Sequence, residues 1–315
     1  MNKANLRAFA CYSKNDEIRA VSTYGGVFSE IATYFIEKKN ARIYGAIFDE
    51  QFKVVHFCAT SVEELTKLRG SKYPQSNLGN SFREIKADLN RNKNVVFVGT
   101  PCQVNALLSF LGTKPSKLFC IDFVCHGVAS PGIWKKYLNE LAEHNGQVIS
   151  VCFKDKINGG TRWSTRISFE TGTELLVRGT LHPFMRSYLW TANIRPSCYE
   201  CRFKGLNRNS DITIADCWGI GEQNKMLNDN KGLSAVLLHS SYGNRVFDEI
   251  AGSIRYKEYK PEELMAGNWA TIKSTPRSDI RELFFVECKK NGVLKTLDKL
   301  FKPTLKERIR YWIKD

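Results

Sequence analysis

Asn94-Val-Val-Phe-Val-Gly-Thr-Pro-Cys-Gln103 and Leu118-Phe-Cys-Ile-Asp-Phe-Val-Cys-His-Gly127 are the two ends of one strand–helix–strand unit. Val95–Val98 is a short β-rich run, Thr100 is placed to cap a helix, and Pro101 falls in a first turn that accepts it. Val104, Leu107, Leu108 and Leu111 form a stripe at helical spacing, and Gly112 ends it. A second apolar run then begins at Leu118. Such a unit gives parallel neighbouring strands, so the expected fold is α/β with a partly parallel sheet. Cys102 and Cys125 both lie just past the carboxyl ends of their strands, the edge where open α/β sheets place ligands.

Outward from this unit, Arg195-Pro-Ser-Cys-Tyr-Glu-Cys201 supplies a pair of cysteines two residues apart, a spacing that turns both thiolates toward one metal centre. With a single such pair, two ligands must come from elsewhere, and Cys102 and Cys125 are the candidates. Structural zinc sites draw on two close pairs, whereas an iron–sulfur cube is wider and accepts ligands from several loops. Spacing also leaves open plain structural thiols and a redox dithiol. Cys217, in Ser210-Asp-Ile-Thr-Ile-Ala-Asp-Cys-Trp-Gly219, is a fifth candidate. Cys11, Cys58, Cys120, Cys152 and Cys288 sit in apolar runs and read as core thiols. His126 reads as a hydrogen-bonded turn residue, a ligand or a proton donor, and Lys154-Asp155-Lys156 as a cofactor or substrate contact or a solvated charge cluster.

The rest of the chain continues the α/β pattern. Residues 6–12 read as a strand followed by a polar turn at 13–16. The Ser22-Thr-Tyr-Gly-Gly26 turn opens a helix over 27–39, where a helix N-terminus offers N–H groups to a phosphate. Residues 42–48 and 52–58 read as a hairpin, 61–68 as a helix and 69–76 as a polar loop. Ser130-Pro131 starts a helix that Gly146 ends, 148–153 reads as a strand, and 164–178 as another hairpin around Thr171-Gly172. A strand over 233–239 and a helix over 243–251 follow.

With 315 residues the chain can bury a sizeable core, and its formal charge of +15 favours anionic partners. No apolar run approaches the roughly 18 to 20 residues that cross a bilayer, and Met1–Arg7 lacks the apolar centre of a secretory signal. These features place the chain in the cytoplasm, where cysteines serve as metal ligands, redox groups or core residues. Residues 289–315 carry nine Lys or Arg against three acids. Leu294, Leu297, Leu300, Phe301, Leu305, Ile309, Trp312 and Ile313 suit a helix docked on the domain or lying on an anionic membrane surface.

Taken together, Gly70-Ser-Lys-Tyr73, Gly99-Thr-Pro-Cys-Gln103, Cys125-His-Gly127, Phe153-Lys-Asp-Lys156, the 195–201 pair and the 210–219 stretch make the chain resemble the coenzyme F-420 hydrogenase/dehydrogenase beta-subunit family, over about residues 6–255. The resemblance extends to a bacterial branch often encoded with polysaccharide genes. It implies a flavin- and iron–sulfur-binding oxidoreductase that passes electrons between a carrier, a 4Fe-4S cluster and FAD. Cys102, Cys125, Cys198 and Cys201 are the implied cluster ligands, and an aromatic residue is usual where Cys217 stands. Ser22, Thr23, Gly25, Gly26, Ser71, Lys72, Tyr73 and Thr100 are the implied flavin-side positions, Tyr24 being bulkier than the motif expects. The implied organisation is a flavin-side α/β region over 1–127, a region with the cysteine pair over 128–260 packed as one unit with it, and a basic helical tail over 261–315. Many bacterial relatives carry a ferredoxin-like segment with clustered cysteines, and with only Cys11 before residue 50 that segment is not expected here, so electrons are expected from a separate acidic carrier such as a ferredoxin, or from a deazaflavin. Nucleic acid is not an expected partner. The alternatives are an electron-transfer or assembly subunit of a glycan-synthesis complex and a structural-zinc protein.

Overall fold

The computed structural model describes residues 6–160, 162–220, 227 and 229–313, with side chains placed as far as residue 309. In chain order the strands are β1 (Arg7–Ser13), β2 (Arg42–Phe48), β3 (Val54–Ala59), β4 (Val95–Gly99), β5 (Leu118–Phe123), β6 (Val148–Asp155), β7 (Ser164–Phe169), β8 (Glu174–Arg178), β9 (Ile212–Asp216), β10 (Ser234–Leu238) and β11 (Ile254–Tyr259). Among the described residues they form an eight-stranded sheet, β11-β1-β10-β9-β5-β4-β2-β3, and a three-stranded sheet, β6-β7-β8. The strands β2, β4, β5 and β9 run parallel, and antiparallel strands flank them on both sides. The expected α/β class with a partly parallel sheet and extra hairpins is therefore observed. Gly99 is in register with Asp122, and Asp122 with Thr213, so the loops after β4, β5 and β9 leave one edge together.

The helices are α1 (Asp16–Val21), α2 (Val27–Lys39), α3 (Leu65–Leu68), α4 (Ser81–Asn90), α5 (Pro101–Leu111), α6 (Pro131–Asn145), α7 (Pro183–Leu189), α8 (Ser241–Ile250), α9 (Pro261–Met265), α10 (Arg281–Asn291), α11 (Val293–Phe301) and α12 (Leu305–Ile313). Val27, Ile31 and Phe35 of α2 pack with Phe119, Ile121 and Phe247 on one sheet face. Val104 and Leu107 of α5 cover Phe97, Leu118 and Cys120 on the other. Each such side chain contributes about 1.5–3 kcal/mol when fully buried. A second core gathers Trp134 and Tyr137 of α6, Phe153 of β6, Phe184 of α7, Phe284 of α10, and Leu297 and Phe301 of α11.

The tail docks through this second core. Both carboxylate oxygens of Glu140 accept backbone N–H groups at the start of α11, from Val293 and Leu294, each at 2.7 Å. Leu305 and Ile309 of α12 are exposed, and Trp312 and Ile313 lie outside the described side chains. No helix among the described residues is long and apolar enough to cross a membrane.

Several elements differ from the sequence reading. The polar turn at 13–16 runs straight into α1, because the Asn15 side chain accepts from Glu17 and Ile18 N–H and caps a helix there. The helix α4 and the strands β9 and β11 are not among the elements expected from the sequence: α4 shows only a short stripe of Phe82, Ile85 and Leu89, β11 is exposed along most of its length, and β9 is a short insert in a polar stretch. Cys152 is exposed rather than a core thiol, since β6 is an edge strand and this position faces outward.

The second core also holds a buried histidine. The His182 ring accepts the Met185 N–H at Nδ1 (3.4 Å) and meets the Tyr137 hydroxyl at 3.2 Å through Nε2. Burial lowers its pKa to about 3, and likewise takes His56 to about 4. The folded state therefore holds these rings neutral, while the unfolded chain protonates them near 6.5. Stability is full above that value and falls as the pH drops from about 6.5 toward 3, by on the order of 1.4 kcal/mol per pH unit for each such ring. Urea midpoints for the native chain and His182→Gln at pH about 7.5 and about 5 check this. The variant is expected to show the shallower acid loss, and identical slopes would contradict the assignment.

Candidate functional site

The capping box that starts α5 fixes the first thiol. The Gln103 carboxamide oxygen accepts the Thr100 N–H at 3.0 Å, while Gln103 Nε2 donates to Ser76 Oγ at 2.8 Å. This pins the 99–103 turn to the 74–77 loop. It leaves Cys102 exposed in the first helical turn, with Thr100 Oγ1 3.0 Å from its sulfur.

The next thiol follows β5. Gly127 has φ +146°, and a Cβ there would fall 2.8 Å from Ile194 Cγ2 and 3.3 Å from Cys198 Cβ. Glycine therefore lets the 125–127 turn press against the loop carrying the cysteine pair. Arg195 N–H donates to Val128 O at 3.0 Å and Tyr188 OH to Gly127 O at 3.0 Å, locking that contact. All four cysteines, Cys102, Cys125, Cys198 and Cys201, line one cavity of about 820 Å³. Burial pushes the Cys125 thiol up to about 12; Lys204 opposes this, and the nearby Cys198 and Cys102 add to it. Cys198 is likewise raised, by burial first and then by Cys102 and Cys201. Among the described residues no three His, Cys, Asp or Glu side chains close around a single-ion position.

Lys204 is the charge facing this set. Its ammonium donates to the carbonyls of Cys125 and Ala270 (2.8 Å for the latter), tying three loops together three residues after Cys201. His126 keeps a buried Nε2 with no hydrogen-bond partner among the described residues, and burial lowers its pKa to about 4. It is thus a neutral ring, hydrogen-bonded to the backbone at Tyr188 as a turn residue is expected to be, with its second nitrogen left over.

A second cavity, a cleft of about 450 Å³, adjoins the first. Ser76, Thr100, Gln103, Cys125, His126 and Gly127 line both. Ser22, Thr23, Gly26, Ser71, Lys72 and Tyr73 also line the cleft, so the structure brings together two motifs about 50 residues apart. Thr23 Oγ1 and Ser71 Oγ stand 3.4 Å apart where those loops meet. Gly25 is not among the lining residues. It packs against β1 and β10, where a Cβ would sit 2.6 Å from Cys11 O, and its N–H donates to Ser234 Oγ. The Lys72 ammonium donates to the carbonyls of Leu68, Arg69 and Gly70, while burial lowers its pKa to about 7.

Lys154 is not solvated. Its ammonium donates to Tyr24 OH at 2.7 Å and to Asp216 Oδ2 at 2.8 Å, and lies 4.2 Å from the Tyr24 ring centre. Burial works against this charge, but Asp216, Tyr73 and Tyr24 outweigh it and raise its pKa well above the ordinary lysine value. Trp163 and Trp218 flank the same ammonium. Lys156 donates to the carbonyls of Arg19, Tyr24 and Lys231, closing the floor beneath the 22–26 turn. Arg69, whose Nε donates to Ser29 Oγ at 2.9 Å, places a guanidinium at the first turn of α2 inside the cleft. The sequence reading passed over Arg69, Lys204, and Asp216 as the partner of Lys154. The available signal was a basic residue flanking a motif, Arg69 just before 70–73 and Lys204 just after the cysteine pair; Asp216 gave none.

Cys217 lies apart from the four. It packs with Ala8, Leu233 and Leu237, and burial followed by Asp216 raises its pKa to about 12.

Comparison with known proteins follows the same lines. Residues 92–263 match the carboxyl-terminal region of the coenzyme F420 hydrogenase/dehydrogenase beta subunit, and residues 8–82 match its amino-terminal region. No curated protein matches the chain by sequence. A chain of the F420-reducing NiFe hydrogenase complex from Methanosarcina barkeri, studied by xenon derivatisation, superposes with a TM-score of 0.55 at 18% identity, over 93% of this chain and 90% of that one. At that identity the likeness shows a shared fold. With both terminal regions matched in order and a common architecture, the chain belongs to the coenzyme F420 hydrogenase/dehydrogenase beta-subunit family, a family of oxidoreductase subunits with an electron-transfer role.

Proposed function

We propose that the chain is an iron–sulfur flavoprotein: Cys102, Cys125, Cys198 and Cys201 hold a 4Fe-4S cluster, and the adjoining cleft holds FAD. The observation that carries this reading is the wall common to the two cavities, built from Thr100, Gln103 and the 125–127 turn. When bound, the cluster supplies single-electron steps and the flavin supplies two-electron hydride chemistry.

The chain's own residues position and tune. Ser22, Thr23 and Gly26 present the N-terminus of α2 to a phosphate, and Arg69 adds a fixed cation there. Tyr24, Trp163 and Trp218 offer aromatic faces for a planar ring. Lys154, held by Asp216, sets a buried positive charge among them, where it stabilises negative charge developing on a bound ring. The substrate is an organic molecule that reaches this cleft.

Fluorescence titration with FAD tests the flavin half of the reading. The native chain is expected to quench the bound flavin, and Arg69→Ala to bind about tenfold more weakly, a loss of about 1.4 kcal/mol. Flavin fluorescence unchanged by the native chain would contradict the cleft assignment without touching the cysteine site.

A further inference from the structure

The cavity holding the four cysteines has a one-sided charge. Lys53, Lys135, Arg195, Lys204 and Arg208 line it, and no Asp or Glu does among the described residues. Arg208 is spent inside, paired with Asp122 at 3.4 Å, and Lys204 is pinned by carbonyls. Lys53, Lys135 and Arg195 are exposed at the mouth, as are Phe203 and the thiol-bearing Cys102. These cations come from three separate parts of the chain: the β2–β3 turn, α6 and the loop before the cysteine pair. The cleft differs, since Asp122 and Asp216 line it together with its lysines.

We propose that this mouth is the docking surface for an acidic electron-carrier protein, which reaches the chain on the cysteine side and not through the cleft. The inference rests on the cluster reading above and adds to it where and by what force the carrier binds. An uncompensated cationic rim steers an anionic partner and raises its association rate, an effect that salt screens. Exposed Phe203 supplies the apolar contact such a patch uses once charges have met. Cys102, exposed at the same mouth, puts one of the four candidate ligands on the face such a carrier would meet. Membrane lipid or free phosphate would meet the same charges, so the test must separate a protein partner from a generic anion.

The experiment uses the full chain purified anaerobically, with a small acidic bacterial ferredoxin as the probe. Basic cytochrome c and inorganic phosphate serve as controls. Binding is measured by surface plasmon resonance at about 20 mM and about 200 mM salt. The native chain is expected to bind the ferredoxin at low salt and to lose at least about tenfold in affinity at the higher salt. Lys53→Glu/Lys135→Glu is expected to lose about tenfold or more at low salt, while Arg255→Glu/Lys257→Glu on the exposed β11 edge keeps native affinity. Lys53→Gln/Lys135→Gln, a milder change on the same exposed side chains, is expected to fall between. Equal weakening by both charge reversals, or displacement of the ferredoxin by millimolar phosphate, would overturn the proposal. Iron is assayed on every sample. A chain without iron that still binds through Lys53 and Lys135 keeps the docking surface and refutes the cluster, whereas an iron-loaded chain indifferent to those lysines does the reverse.

Discussion

Cys198→Ala is expected to empty the cysteine cavity: iron should fall from about four per chain to near zero, with the folded chain retained. The retention follows from position. Cys198 closes a short turn whose backbone bonds, from Cys198 N–H to Arg195 O and from Arg195 N–H to Val128 O, do not involve the side chain. On the proposed cluster reading the loss follows from chemistry, since an iron without its thiolate would be open to water and oxidant. Cys102→Ala should behave alike, although Cys102 sits across the cavity on α5 and shares no local turn with Cys198. Cys217→Ala and Cys152→Ala should leave iron unchanged, since neither lines the cavity. Iron and sulfide assays with far-UV circular dichroism on the four variants check this. Equal iron in Cys198→Ala and native protein would remove Cys198 from the ligand set.

The second large effect is expected at Lys154. Replacing it with methionine strands Asp216, which is partly buried and loses its ion-pair partner at 2.8 Å. Breaking a buried pair from one side costs about 3–5 kcal/mol, because one charge remains in a poorly solvating site. Lys154→Met should therefore lower the unfolding midpoint sharply, and Lys154→Met/Asp216→Asn should recover a substantial part of the loss. Both should also weaken flavin binding, since the ammonium sits among Tyr24, Trp163 and Trp218. Denaturant unfolding of the native chain, the two single variants Lys154→Met and Asp216→Asn, and the double variant measures the coupling. Strictly additive losses would mean that Lys154 and Asp216 do not act as a pair.

Much of the fold could be read from the sequence where local signals and tertiary demands agree. Thr100, Pro101 and Gln103 are a helix start by chemistry alone, and the stripe from Val104 to Leu111 can bury only one way. The same unit puts Cys102 and Cys125 on one edge by topology, without reference to any contact. The helix α4 is harder to read because its stripe is only three residues long, Phe82, Ile85 and Leu89, and no side chain caps its start. The strand β9 was missed because its pairing with β5 and β10, not its own composition, makes it a strand.

The candidate site divides the same way. Cysteines announce themselves by spacing, and glycines by their place in turns, but Gly25 shows that a motif residue can serve close packing instead of a cleft. Lys154 and Asp216 lie 62 positions apart on different sheets, so only the packing of β6 against the end of β9 reveals them as partners. Lys204 was passed over because a lysine after a cysteine pair reads as surface charge until its carbonyl partners are seen.

If one cavity holds a cluster and its neighbour a flavin, both groups should travel with the purified chain. Anaerobic purification followed by an absorption spectrum and iron, sulfide, zinc and flavin assays on the same sample tests this most directly. The expected result is a brown protein with about four irons and one flavin per chain. A colourless protein carrying stoichiometric zinc would contradict it.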